Sequence, residues 1–208
     1  MTVLPMFPLG SVLFPAMPLA LRVFEERYLK MMGTILEDDT PRFGVVLIER
    51  GSEVGGGEKR FEYGTVAQVL QVEAPDGPLA VVARGTERFR VLEWLPDDPY
   101  PMARVEFIEG FDGEDGGPDL EAAEKLVRDT LAYVAEVGAQ DSWPSDLELA
   151  DDPVEKAWQL AGIAPLGPLD HYDFLVAQSF QELLATVSTT VADALETFRL
   201  SRESGEEG

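Results

Sequence analysis

The chain has no cysteine, one histidine (His171) and four lysines (Lys30, Lys59, Lys125 and Lys156) among its 208 residues. Without thiols there is no disulfide, no cysteine nucleophile and no thiolate metal ligand. One imidazole cannot build a histidine metal cluster, and no histidine–aspartate set is placed to activate a serine. The few lysines leave a serine–lysine dyad without a suitable context. No apolar run reaches the roughly 18 residues that a membrane helix needs. The opening MTVLPMFPLG has no positively charged leader and is followed by no cleavage pattern, so a soluble, cytoplasmic protein is expected.

Phosphate-binding equipment is missing as well. The nearest approach to a phosphate loop is GSEVGGGEK at 51–59, and its glutamate stands where such a loop needs backbone amides opening a helix. A flexible hairpin loop is expected there instead. The paired acids Asp38-Asp39, Asp97-Asp98 and Asp151-Asp152 fall in turns and helix caps, where carboxylates are solvated rather than catalytic or metal-binding. His171 is expected to be a surface or helix-packing residue. These readings predict no enzyme activity, no cofactor and no metal site.

Positive charge is scarce. The 39 acids outnumber 16 bases for a net charge of −23, which repels nucleic-acid phosphate and anionic lipid. The imbalance is uneven: residues 1–107 hold 16 acids and 11 bases, whereas residues 108–208 hold 23 acids and 5 bases. Read plainly, this is a solvated acidic surface. Read more sharply, it is an acidic face that selects basic partners.

What is present is a globular apolar content of 45%, arranged differently in the two halves. The first half carries short β-branched or alternating runs: Phe43–Glu49, Gly64–Val72, Leu79–Ala83, Phe89–Leu92 and Ala103–Ile108. Turn signals separate them at GSEVGGGEK, PDG (75–77), RGTER (84–88) and PDDPYP (96–101). Their spacing predicts an antiparallel, barrel-like sheet, interrupted by one short helix within Phe24–Asp38. EGFDGEDGGPD at 109–119 reads as a linker or exposed loop.

The second half reads as helices. Asp119 and Gly138 bracket an apolar repeat through Leu120, Ala123, Val127, Leu131, Val134 and Val137. Asp152-Pro153-Val154-Glu155 is an N-terminal capping signature for a helix reaching Gly162. A third helix starts near Asp170. Ser179–Glu182 is either a fresh capping box or a continuation, ahead of a stripe of Phe180, Leu184, Val187, Val191, Leu195 and Phe198. The expected boundaries are 1–108 for the β domain, 109–118 for the linker, 119–202 for a helical bundle and 203–208 for a disordered tail. The fold class is α+β.

The opening stretch carries a resemblance. Pro5-Met6-Phe7-Pro8-Leu9-Gly10-Ser11-Val12-Leu13-Phe14-Pro15-Ala16-Met17, followed by Val23-Phe24-Glu25-Glu26-Arg27-Tyr28, resembles the signature of the Lon protease N-terminal domain family. That pattern reads P-L-F-P-L-G-x-V-L-F-P-G-M and then I-F-E-x-R-Y. Echoes follow in order at Phe43-Gly44-Val45-Val46, Gly64-Thr65-Val66-Ala67, Pro75-Asp76-Gly77, Gly85–Val91 and Tyr100-Pro101. The second half departs from the family, with DHYDFLVAQSFQELL where a lysine- and arginine-bearing phrase is usual. The resemblance implies a six-stranded PUA-like pseudo-barrel followed by a helical bundle. It implies a stand-alone member without the ATPase and protease modules, whose role is to bind protein substrates.

The residues support the same reading. Pro8, Pro15 and Pro18 are expected to set turns or sheet edges and to keep the segment out of a regular central strand. Phe24 and Tyr28 are expected to share one helix face, and Glu25 and Arg27 to form an ion pair or hydrogen bonds to the neighbouring loop. Arg84, Arg88 and Arg90 are expected to flank a hairpin ladder and pair with nearby acids. The expected function is recognition of exposed or unfolded polypeptide. Its candidate contact residues are Met17, Pro18, Leu19, Trp94, Tyr100 and Pro101, because proline and methionine suit an adaptable apolar surface. An adaptor delivering clients to a separate protease or chaperone is the alternative. RNA binding through a PUA-like fold is the weaker one, since the net charge opposes it.

Overall fold

A computed structural model describes residues 2–50, 59–74, 77–111, 114–138 and 142–206. The chain divides into two compact units, Met1–Gly110 and Phe111–Gly208. The expected loop at 51–58, positions 75–76 of the PDG turn, 112–113 of the expected linker and 207–208 of the expected tail lie outside the described residues.

The first unit contains six strands: β1 (Thr2–Leu9), β2 (Pro18–Val23), β3 (Arg42–Arg50), β4 (Lys59–Glu73), β5 (Leu79–Leu95) and β6 (Met102–Phe107). One helix, α1 (Glu26–Ile35), lies between β2 and β3. The strands form one sheet in the order β2-β5-β4-β3-β1-β6, with β5 pairing β6 as well. The pairing circuit β1–β3–β4–β5–β6 therefore returns to β1, and β2 stands outside it. Its core draws on those five strands: Leu4, Met6, Val46, Val66, Phe89, Val91, Ala103 and Val105 are all buried together. α1 buries Tyr28, Met31, Met32 and Ile35, a helical stripe.

Several expectations change. The sheet is mixed, because β1 runs parallel to β3 with Met6 opposite Gly44 and Leu9 opposite Leu47. Parallel neighbours need a long crossover, and β2 with α1 supplies it. The runs at Leu79–Ala83 and Phe89–Leu92 are one strand, and RGTER is no turn. Thr65 pairs with Arg88 and Ala67 with Gly85, so two residues of β5 oppose one of β4 in a bulge. Thr86 Oγ1 donates to the Val66 carbonyl at this bulge (3.2 Å). Pro8 does not keep its segment out of the sheet interior. It is buried in β1 opposite Val46. β1 changes partner within its length, from β6 at Thr2–Pro5 to β3 at Met6–Leu9. Pro18 does open an edge strand, a position where a missing N–H costs no ladder bond.

The Phe14–Met17 corner is locked onto β5. The Ala16 N–H donates to the Gly85 carbonyl and the Gly85 N–H to the Met17 carbonyl, each at 2.9 Å. A Cβ on Gly85 would fall on the Phe14 carbonyl, so only glycine allows this approach. Ala16, standing where the family pattern has glycine, adopts φ +62°. The three arginines of the RGTER stretch and its flank do not behave alike. Arg90 pairs with Glu106 at 3.6 Å. Arg88 is only 4% exposed, and burial lowers its pKa to about 10, with Tyr63 opposing.

The second unit contains α2 (Gly117–Glu136), α3 (Pro153–Ile163), α4 (Pro168–Leu175) and α5 (Phe180–Glu206). α2 packs chiefly on α5, and α3 and α4 pack on α5 and on each other. Leu120, Val127 and Leu131 of α2 are buried, as are Phe180, Leu184, Val187, Val191 and Leu195 of the α5 stripe. α2 starts at Gly117, two residues ahead of the expected cap. Asp119 sits instead in its first turn, where a carboxylate favours the helix dipole. Asp152 caps α3, its Oδ1 accepting the N–H groups of Val154 (3.0 Å) and Glu155 (2.9 Å). Ser179 Oγ accepts from Glu182 N while Glu182 Oε2 accepts from Gln178 N, so α5 is a fresh helix. It continues through Glu206, into the span expected to be a tail. Phe111, inside the expected linker, is buried and stacks on Trp158 with ring centres 5.3 Å apart.

Candidate functional site

Among the described residues β2 pairs with β5 alone, from Pro18 opposite Arg84 to Val23 opposite Leu79. No described strand pairs its second edge, and an unpaired edge is one to which the backbone of an extended chain can add. The strand alternates: Pro18, Ala20 and Arg22 are exposed, Leu19 and Leu21 half-buried and Val23 buried. Beneath its end lies a cleft of about 170 Å³ lined by Phe7, Leu9, Leu21, Val23, Phe24 and Tyr28, with Ala20, Arg22 and Glu25 at its margin.

The floor is aromatic and braced. Phe7 stacks on Tyr28 with centroids 4.1 Å apart and planes 19° from parallel, and Phe43 backs Phe7 at 5.9 Å. The Arg27 guanidinium covers the Tyr28 ring at 4.5 Å, and its Nε donates to Glu25 Oε2 at 3.1 Å. This ion pair is one of the arrangements expected of Glu25 and Arg27. Phe24 is different. It precedes α1 and is 59% exposed, whereas Tyr28 is 2% exposed, so the two share no helix face. A large apolar ring is thus held at the rim of an apolar cleft beside an open strand edge. Arg22, also exposed, pairs with no carboxylate of the described residues.

The six candidate residues fall into two separate groups. Met17 is buried in the corner held by Gly85, while Pro18 and Leu19 begin β2 and so flank the cleft. Trp94, Tyr100 and Pro101 belong to the β5–β6 end. Trp94 is half-buried with the Arg60 guanidinium 4.5 Å over its ring, and Arg60 Nη2 reaches Asp97 Oδ2 at 2.6 Å. Pro101 is buried, its carbonyl accepting the Met6 N–H at 2.8 Å, and Tyr100 is half-buried. The β5 partner of Pro18 is Arg84, up to about 33 Å of extended strand from Trp94 at ~3.3 Å per residue. The structure does not bring the two groups together. Phe7, Leu9, Leu21, Arg22, Phe24 and Tyr28 escaped the sequence reading as site residues. Their signal was the alternating PLALRV ending in an aromatic, and it lies inside the opening motif.

The family described as the ATP-dependent protease La (LON) substrate-binding domain matches residues 3–193. Lon protease 2 of Herpetosiphon aurantiacus is 29% identical over 95% of this chain and 24% of its own length. Lon protease of Brevibacillus choshinensis is 25% identical over 97% of this chain and 26% of its own length. The chain thus spans about a quarter of these curated relatives. A Lon N-terminal domain protein from Xanthomonas campestris superposes with a TM-score of 0.65 at 27% identity, covering 89% of this chain and 98% of that one. The N-terminal domain of Mycobacterium avium complex Lon protease gives a TM-score of 0.64 at 17% identity over 92% of this chain and 99% of that one, a likeness of fold. No helix among the described residues is long and apolar enough to cross a membrane.

Proposed function

Because this chain belongs to the family of Lon substrate-binding domains, we propose that it is a non-catalytic recognition module that captures extended, apolar polypeptide segments along the open edge of β2. The observation that carries this reading is the edge of β2 that no described strand pairs, beside an aromatic-floored cleft with Phe24 exposed at its rim. An extended client adds backbone hydrogen bonds to the edge and places one large side chain in the cleft. Arg22 favours a client residue carrying a carboxylate at the flank. On this reading the β unit is a PUA-like pseudo-barrel and the helical unit its appended bundle. The Trp94, Tyr100 and Pro101 end then lies outside the client's path, with the Arg60 guanidinium stacked over Trp94.

The test uses a fluorescent apolar peptide and a copy N-methylated at alternate backbone nitrogens. Binding read by anisotropy should be lost on N-methylation along one edge of the peptide, and amide shifts should cluster on β2, Phe24 and the start of α1. Equal affinity for both peptides, or shifts that avoid β2, would refute the edge-pairing reading.

A further inference from the structure

The second unit has its own cleft, of about 660 Å³, where the ends of its helices meet. Val134 of α2 and Val137 just past its end, Trp143 of the following loop, Ile163 of α3 and Leu166 beyond it, and Phe198 of α5 line it. This volume falls within the range of ligand-sized sites, and the lining is the expected apolar and aromatic kind. Gly138, which lines the cleft, follows α2 in the left-handed conformation (φ +88°) that closes a helix. Val137 is 46% exposed and Trp143 41% exposed, so the rim presents apolar surface to solvent.

The wall carrying Trp143 is braced. Arg128 Nη1 donates to the Ser145 carbonyl at 2.6 Å and Nη2 to that of Leu147 at 3.1 Å. Glu124 holds Arg128 at 2.9 Å and Lys156 at 3.3 Å, and the Ala150 N–H donates to Gln159 Oε1 at 2.7 Å. Trp143 therefore stands on a loop fixed to α2 and α3. His171 also lines the cleft, with Nε2 3.0 Å from the Ala164 carbonyl. Burial lowers its pKa against the pull of that bond and of Asp170, leaving the ring neutral at neutral pH. Among the described residues no carboxylate, lysine or arginine lines the cleft, whereas residues 108–208 carry 23 acids against 5 bases.

An apolar cleft whose described lining carries no carboxylate, lysine or arginine, set in a strongly negative unit, favours one kind of occupant. We propose that it docks a cationic polypeptide segment through a cluster of apolar side chains, with lysines or arginines flanking leucines or aromatics. The apolar side chains fill the cleft, and the surrounding negative potential attracts the flanking charges and repels acidic segments of equal hydrophobicity. This site is confined to the second unit and does not rest on the β2 reading.

The test titrates the full chain with a tryptophan-free amphipathic leucine–lysine peptide and a leucine–glutamate peptide of the same apolar pattern. Indole N–H signals of Trp94, Trp143 and Trp158 are followed by NMR, with Trp143 assigned through Trp143→Phe. The lysine peptide should shift the Trp143 indole and leave Trp94 in place. The glutamate peptide should bind at least tenfold more weakly, and raising salt should weaken the lysine peptide several-fold. Trp143→Ala should reduce affinity about tenfold, while Leu169→Ala, at a residue 64% exposed outside the lining, should not change it. If Trp143→Ala disturbs folding, Val137→Ser provides the same test at the opposite rim. Equal binding of the two peptides, shifts confined to the β unit, or affinity unchanged in both rim variants would overturn the proposal. Loss of binding at β2 with the Trp143 response intact would refute the β2 site alone.

Discussion

Truncating Phe24 separates the proposed recognition role from stability. Phe24 is 59% exposed and precedes α1, so its ring contributes little to the folded state. A bare phenylalanine side chain presents roughly 200 Å², so about 120 Å² remains to be covered by a bound chain. At ~25 cal/mol per Å², full coverage is worth about 3 kcal/mol. A client lying along the rim covers about half of it, so Phe24→Ala should cost about 1–2 kcal/mol, a 5- to 30-fold weaker Kd. Stability should move by less than about 0.5 kcal/mol, as for an exposed substitution. Anisotropy with the apolar peptide reads the first quantity and the urea midpoint the second. An affinity change below twofold with the midpoint unmoved would refute the argument, because the ring would then meet no client. An affinity loss that tracks a lowered midpoint would show that Phe24 supports the fold and leaves recognition elsewhere.

The corner and the helical unit give further expected outcomes. Gly85→Ala drives a Cβ into the Phe14 backbone and should cost about 2–3 kcal/mol by urea unfolding, with amide shifts centred on Ala16 and Met17. Ala16→Gly should relieve the left-handed strain at φ +62° and stabilise by up to about 1 kcal/mol, the added freedom of the unfolded chain offsetting the rest. Arg128→Ala removes the donors to the Ser145 and Leu147 carbonyls and should speed amide exchange across 142–150 while the β unit keeps its protection. His171 has a lowered folded pKa, so the unfolded state takes up its proton first as pH falls. Its stabilising contribution should be complete above about pH 6.5 and decline below it, and its NMR titration midpoint should fall below that value.

Local chemistry was legible in the sequence, and long-range pairing was not. The Asp152 cap and the α5 stripe follow from side chains within one or two turns of each other, and the structure holds both, whereas Ser179–Glu182 reads equally as a capping box or a continuation until the fold shows a fresh start. The bulge in β5 used residues that also make turns: Gly85 and Thr86 look alike whether the chain reverses or only bends. The parallel β1–β3 pair could not be read, since a crossover leaves no mark on the strands themselves. Trp94 and Tyr100 read as candidate contact residues, and the stacking of Arg60 on Trp94 could not be read because Arg60 lies far from it along the chain. Phe24 was the converse. Spacing placed it on a helix, but the helix begins after it at Glu26, and that shift turns a packing residue into an exposed one.

The two proposed surfaces differ in charge while sharing an apolar centre. At β2 the exposed Arg22 stands beside the cleft, whereas the second cleft lies in the unit that carries most of the chain's excess acid. Apolar burial alone would make both surfaces accept the same exposed segments, since it is non-directional. Charge supplies the discrimination: a segment flanked by acids is steered to β2, one flanked by lysine or arginine to the helical unit. Salt should therefore erode the preference faster than the binding itself, because flanking charges are screened over about 8 Å at 0.15 M ionic strength and apolar contacts are not. Competition between the acidic and basic peptides, followed at Phe24 and at the Trp143 indole, should show independent sites at low salt. Mutual displacement at low salt would mean that one surface takes both peptides, and the division by charge would fail.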